Sequence, residues 1–266
     1  MFDKLIHKTF RWPFELFVRR DIHPKNHRLT LLFLHGLAVD GRFWRDVLSE
    51  ASKCGAFNNV RLITLDLLGE GKSPAPEWLE YSLDDHMSAL EKTVHKLRIK
   101  TPLLIVAHSM GGVLAIELAR KIPVEKLLLV APPLMPPVNN RRLLDKLNSA
   151  SLEILGKMAA DNPVLRPIAK FMHSLSTRFH YDVNQVAFRR TMRHIVLENH
   201  SMDSIKSLEM PIYLVRGKAD LLSNRQNYQK VAKQSNIALT EIPRCGHQIF
   251  GALFNAVMKQ LADIVK

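Results

Sequence analysis

Cysteine is scarce in this chain: Cys54 and Cys245 are the only two among 266 residues. Two thiols so far apart in a chain of this length do not make a disulfide framework. Long apolar runs are missing as well. Each stretch that approaches the roughly 20 apolar residues of a membrane-spanning helix is broken by charge or proline, so none is expected. The N-terminal MFDKLIHKTFRWPFELFVRR has neither the continuous apolar segment nor the small-residue cleavage site of a secretory signal. A reducing cytoplasm is therefore the expected setting. Internal repeats and low-complexity tracts are absent. No zinc-ligand spacing and no dinucleotide fingerprint occurs, so neither metal nor cofactor is implied.

Acidic residues are outnumbered. Lys and Arg total 38 against 25 Asp and Glu, a net charge of +13. Such a balance suits an anionic partner. Yet the cations are scattered along the chain and no nucleic-acid signature accompanies them, so nucleic acid is not expected. The charge reads mainly as a solvated surface. Near the start, Phe2, Leu5, Ile6 and Phe10 share one face of a short helix, with Lys4, Lys8 and Arg11 away from it. That stripe reads first as a helix packed on the domain, and second as a weak peripheral membrane contact through residues 1–12.

What the chain does have is a rhythm. LTLLFLHG (29–36), VRLITLD (60–66), PLLIVAH (102–108), EKLLLVA (125–131), PIYLVRG (211–217) and IALTEIP (237–243) are short apolar runs that stop at glycine, proline or polar residues. Unbroken runs of this length suit parallel strands covered on both faces. Amphipathic helical patterns fall between them, near 42–53, 83–98, 111–121, 224–235 and 248–265. The alternation predicts an α/β protein: an open, mostly parallel sheet with right-handed crossovers and helices on both faces. ELFVRRD (15–21) adds an earlier antiparallel strand.

One interval breaks the rhythm. From 132 to 210 the pattern is helical with no convincing strand, too long for a loop in a compact domain. The expected organisation is a core of 1–131 and 211–266 with an inserted helical cap, 132–210. Met135, Met158, Met172, Met192 and Met202, half of the ten methionines, fall inside it before its last residue, Met210. Methionine adapts to varied apolar ligands, although each one alone reads as ordinary packing. Arg141, Arg142, Arg189, Arg190 and Arg193 in the same interval read as solvent-facing, with recognition of an anionic group as the alternative.

GKS in DLLGEGKS (66–73) looks like part of a phosphate-binding loop. The pattern needs a glycine where Asp66 stands and a helix where Pro74 and Pro76 stand, so nucleotide binding is rejected.

IVAHSMGG (105–112) ends an apolar strand on a serine and turns at once into a helix. A tight strand-to-helix turn holds a serine oxygen clear of the strand, and it needs small neighbours on either side. Gly111 lies two residues after Ser109. Ala107, two before, departs from the usual glycine by one methyl. The helix that begins at Met110 directs its positive end, and the Met110 N–H, at the same point. A serine alone is a weak nucleophile and needs a base, which in turn needs an orienting acid. Asp220 in VRGKADLL and His247 in RCGHQIF follow successive predicted strands, at the carboxyl ends where open α/β sheets place their sites. The order Ser109, Asp220, His247 is the one this architecture uses. HGLAVDG (35–41) follows an earlier strand and offers the Leu37 N–H as the second oxyanion donor. His35 and His108 read as loop-orienting residues.

Taken together, LHGLAVDGRFW, LDLLGEGKS, AHSMGG, RGKAD and CGH resemble the α/β-hydrolase family, in the branch opened by a His-Gly dipeptide. The resemblance covers nearly the whole chain, the cap least. Glu70 stands where many relatives carry histidine, which bears on the rim of the site. The resemblance implies a serine hydrolase that cleaves carboxylic esters through an acyl-enzyme, with a small-molecule ester or acyl substrate. Haloalkane dehalogenases and epoxide hydrolases of this fold use aspartate at the elbow and are set aside. Thioesterase, lactonase, carbon–carbon bond hydrolase and perhydrolase activities stay open, as does a slow-turnover ligand sensor.

Overall fold

The apolar runs form the sheet. In the computed structural model, which describes residues 6–7, 12–136, 183–220 and 222–266, they become β2 (Leu29–Leu34), β3 (Val60–Leu65), β4 (Leu103–His108), β5 (Lys126–Val130), β6 (Ile212–Gly217) and β7 (Ile237–Ile242). β1 (Val18–Ile22) pairs antiparallel with β3, and all other pairs are parallel. The order across the seven-stranded sheet is β1-β3-β2-β4-β5-β6-β7.

The central strands are buried on both faces because two separate cores cover them. Successive side chains of a strand point to opposite faces. In β2, Leu32 and Leu34 enter one core with Ile105, Ala107 and Leu129. Leu31 and Phe33 enter the other with Val106 and Leu128. The first core is closed by α2 (Leu83–Lys96) and α3 (Met110–Ala119), the second by α1 (Arg45–Ala51) and α7 (Gly251–Ile264). Each Leu, Ile or Val buried this way contributes about 1.5–3 kcal/mol. α2 starts on a capping box, with the Ser82 side chain accepting the Asp85 N–H and the Asp85 carboxylate accepting the Ser82 N–H. α3 is buried all round, as its sequence MGGVLAIELA requires.

Within 132–210, residues 137–182 lie outside the described residues, and with them Arg141, Arg142, Met158 and Met172. The stripe over 1–12 lies outside them too, apart from residues 6–7 and 12. What is described of the expected cap is helical: α4 (Gln185–Thr191), a π-helical turn Met192–Leu197, and α5 (Ser201–Lys206). α4 is tied to the core by His86 to Thr191 Oγ1 (3.1 Å) and by Asn184 to the Ala75 carbonyl (3.3 Å). α6 (Arg225–Val231) precedes β7. Among the described residues no helix is long and apolar enough to cross a membrane.

Candidate active site

Ser109 sits between β4 and α3 with φ 51° and ψ −122°, a left-handed backbone that a non-glycine residue adopts only where its surroundings enforce it. The reason is the closeness of α3 to β2. A Cβ on Gly111 would lie 2.4 Å from the His35 carbonyl oxygen and 2.7 Å from that of Leu34. Ala107 causes no conflict. It is an ordinary interior residue of β4, paired with Leu34 and Leu129, and its methyl joins the first core.

The three side chains expected from sequence meet in a line. His247 Nε2 is 2.9 Å from Ser109 Oγ, and His247 Nδ1 is 3.0 Å from Asp220 Oδ2. An ionised carboxylate only accepts, so Nδ1 carries the proton and Nε2 is left to accept from the serine hydroxyl. Asp220 is buried at the turn after β6. Burial pushes its carboxyl up, but hydrogen bonds from His247, Ser223 and the Leu222 N–H outweigh that and hold it below the usual carboxylate range.

Sequence reasoning missed Arg216. It is buried beneath the acid turn, donates to the Asp220 and Ser223 carbonyls (3.3 Å each), and pairs with Glu241 at 2.9 Å. An arginine ending an apolar strand is the signal that could have flagged it, since a buried guanidinium needs such partners. His108 orients the base loop. Its Nε2 donates to the His247 carbonyl at 3.0 Å, and its ring stacks on Phe43 at 4.7 Å. Burial, then the neighbouring His247, lower its pKa to about 3, so it is neutral.

The expected oxyanion donors lie on either side of Ser109 in the fold: Met110 follows it, and the Gly36–Leu37 segment packs against it. Met110 is the first residue of α3, so its N–H has no intrahelical acceptor. A Cβ on Gly36 would lie 3.2 Å from Ser109 Cβ, which places the Gly36–Leu37 peptide against the serine. Ser109, His247 and Leu37 border a cavity of about 160 Å³, whose walls include Val39, Phe43, Phe188, Met192 and Val196. The last three recur every fourth residue along α4 and the π turn and so share one face.

Arg190 and Arg193 are engaged elsewhere. Arg190 donates to the Glu77 carbonyl at 2.9 Å and Arg193 to Glu198 at 2.9 Å. The GKS loop is closed to phosphate by its own aspartate: Asp66 accepts the N–H groups of Gly41 (2.9 Å) and Lys72 (2.8 Å). Glu70 corrects the sequence expectation. It is not a rim residue but is buried, with its carboxyl under the oxyanion loop.

A parallel α/β sheet that carries a Ser–His–Asp line at the carboxyl ends of its strands defines a class of proteins. The chain belongs to the alpha/beta hydrolase family, whose model matches residues 31–264. It is similar to the probable lysophospholipase BODYGUARD 2 of Arabidopsis thaliana, 41% identical over 112 residues, which are 41% of this chain and 24% of that protein. It is also similar to a haloalkane dehalogenase of Mesorhizobium japonicum, 34% identical over 94 residues, 35% of this chain and 28% of that one. The matched stretches thus span about a quarter of these relatives' length. Among solved structures, the esterase EaEST from Exiguobacterium antarcticum superposes with a TM-score of 0.71 at 18% identity, covering 94% of this chain and 95% of that one.

Proposed function

We propose that this protein is a serine hydrolase that cleaves carboxylic esters with acyl chains of moderate length. The observation that carries the reading is the His247 imidazole, hydrogen-bonded to Ser109 on one side and to buried Asp220 on the other, beside an apolar cavity. Ser109 Oγ attacks the acyl carbon as His247 Nε2 takes its proton. The N–H groups of Leu37 and Met110 receive the oxyanion. His247 then protonates the leaving alcohol, and water, deprotonated by the same nitrogen, releases the acid. Asp220 keeps the imidazole in the required tautomer throughout.

The similarity to proteins named probable lysophospholipases and to an esterase supports an acyl ester as substrate. The cavity narrows the acyl part. An apolar hole of about 150 Å³ holds one benzene, so a space of this size takes about six carbon atoms. Hydrolysis of p-nitrophenyl esters from acetate to palmitate tests the reading, and turnover is expected to peak near about six acyl carbons. Met192→Trp, which fills the wall between Phe188 and Val196, is expected to move the optimum to acetate. An unchanged chain-length profile in that variant would place the acyl chain elsewhere. Absence of repeated turnover on every ester, with Ser109 still labelled by a fluorophosphonate, would reject ester hydrolysis in favour of another acyl bond.

A further inference from the structure

The strand end that bears the Leu37 N–H is held at two successive peptides, once by His35 of its own segment, itself anchored to Leu67, and once by Glu70 from the loop after β3. His35 Nε2 accepts the Leu67 N–H at 2.9 Å, so its proton lies on Nδ1, which donates to the Gly36 carbonyl at 2.7 Å. That carbonyl shares a peptide with the Leu37 N–H. The next peptide is held from its other side: the Ala38 N–H donates to Glu70 Oε1 at 2.9 Å. Ala38 has φ 61°, a left-handed conformation that alanine keeps only where contacts fix it.

We propose that Glu70 is a positioning residue for the hydrolysis: its carboxyl fixes the Leu37–Ala38 peptide and so aims the Leu37 N–H at the oxyanion. This rests on the hydrolase reading of the Ser109 site. A glutamate reaches this peptide because its loop folds back on itself, with the Glu70 N–H donating to the Leu67 carbonyl and the Glu70 carbonyl accepting from Ser73.

Glu70 does this as an uncharged acid. Its neighbours on the oxyanion loop and on its own loop are Asp40 and Asp66. The cations nearby are taken by those aspartates: Arg19, from β1, by both, and Arg42 by Asp40 at 2.8 Å. Lys72 turns its ammonium over the Phe17 ring. Burial lowers the His35 imidazole against the opposing pull of its bond to Gly36 and of Asp66 and Asp40, and burial raises the nearby Tyr81 phenol, which also senses Arg190, Glu70, Asp85 and Glu77. Burial raises the Glu70 carboxyl to about 8, Asp40 and Asp66 add to the rise, and the Ala38 N–H opposes it. Ionised Glu70 would set a negative charge behind donors that must receive another, which weakens transition-state stabilisation.

The test measures kcat and KM on p-nitrophenyl butyrate, and the rate of Ser109 labelling by a fluorophosphonate, for wild type, Glu70→Gln and Glu70→Ala. The range runs from about pH 6 to about pH 10, either side of the ionisation. Wild-type kcat is expected to decline as pH rises through about 8. Glu70→Gln keeps an acceptor without a charge. It should match wild type at neutral pH and lose the decline. Glu70→Ala should lose about 10- to 100-fold in kcat at every pH, less than or comparable to deletion of an oxyanion donor, with KM little changed.

Melting adds a readout independent of catalysis. The folded carboxyl is raised from 4.5 to about 8, so wild type loses stability as pH rises through that window. Glu70→Gln should therefore melt increasingly above wild type as pH rises. A Glu70→Ala protein with wild-type kcat, or a Glu70→Gln protein that keeps the alkaline decline, overturns the proposal. If wild type is labelled but silent on esters, the ester reading fails and the three labelling rates decide on Glu70. If wild type is not labelled at all, the hydrolase reading falls, and the proposal with it.

Discussion

Ser109→Ala is expected to lower kcat by about a millionfold, His247→Ala by about as much, and the double variant by no more than either. The reason is the short Oγ–Nε2 contact of 2.9 Å: serine and imidazole act as one proton-coupled unit, so removing either removes the function of both. The residual rate would come from binding and the two oxyanion N–H groups. Asp220→Asn should cost about 10⁴-fold, because an amide facing Nδ1 favours the wrong tautomer. Steady-state hydrolysis, referenced to active-site titration of the wild type, measures all four. Losses that multiply in the Ser109–His247 double variant would mean that the two side chains act separately.

Gly217→Ala is expected to be the most disruptive one-methyl change near the site. A Cβ there would lie 2.1 Å from the Cys245 carbonyl oxygen and 2.4 Å from that of Gly246. Both are backbone atoms that cannot rotate away. The same turn is pinned to that segment by Lys218 N–H to Ile242 and Ala219 N–H to Cys245. The methyl must therefore push the chain that leads into His247. A cost of about 3 kcal/mol, with a matching loss of activity in the folded fraction, follows from overpacking of this kind. Gly246→Ala is the control. A Cβ there meets nothing within 4 Å, so it should be neutral or gain a few tenths of a kcal/mol by restricting the unfolded chain. Thermal melts of the two variants compare them directly. Equal stability would show that the 245–247 segment yields freely.

The strands and the three reactive side chains were legible because each follows a local rule. Leu29–Leu34 and Leu103–His108 read as buried strands from apolar continuity alone, and their ends agree with the sequence boundaries to within two residues. Ser109 was marked by Gly111, and Asp220 and His247 by the strands they follow. The supporting contacts were not legible, because they join residues far apart in the chain. Nothing in the string around Arg216 names Glu241 as its partner. Nothing in LDLLGEGKS says that Glu70 turns under Ala38 instead of outward to the rim. The interval 132–210 read as helical, and the structure resolves its 185–197 part into α4 and a π turn at Met192. A π turn is a single short turn within an otherwise α-helical stretch, too brief for apolar periodicity to tell it from α-helix.

The site draws its parts from the middle of the sheet and from one edge of it. Ser109 follows β4, while Asp220 and His247 follow β6 and β7, the last strands to be laid down along the sequence. Collapse and formation of β2, β3 and β4 could restore most of the circular dichroism of a refolding sample without creating a reactive serine. Parallel pairing of strands distant in sequence is slow. Uptake of a fluorophosphonate at Ser109 after dilution from denaturant would then serve as a clock for the β6–β7 junction, running behind every probe of secondary structure.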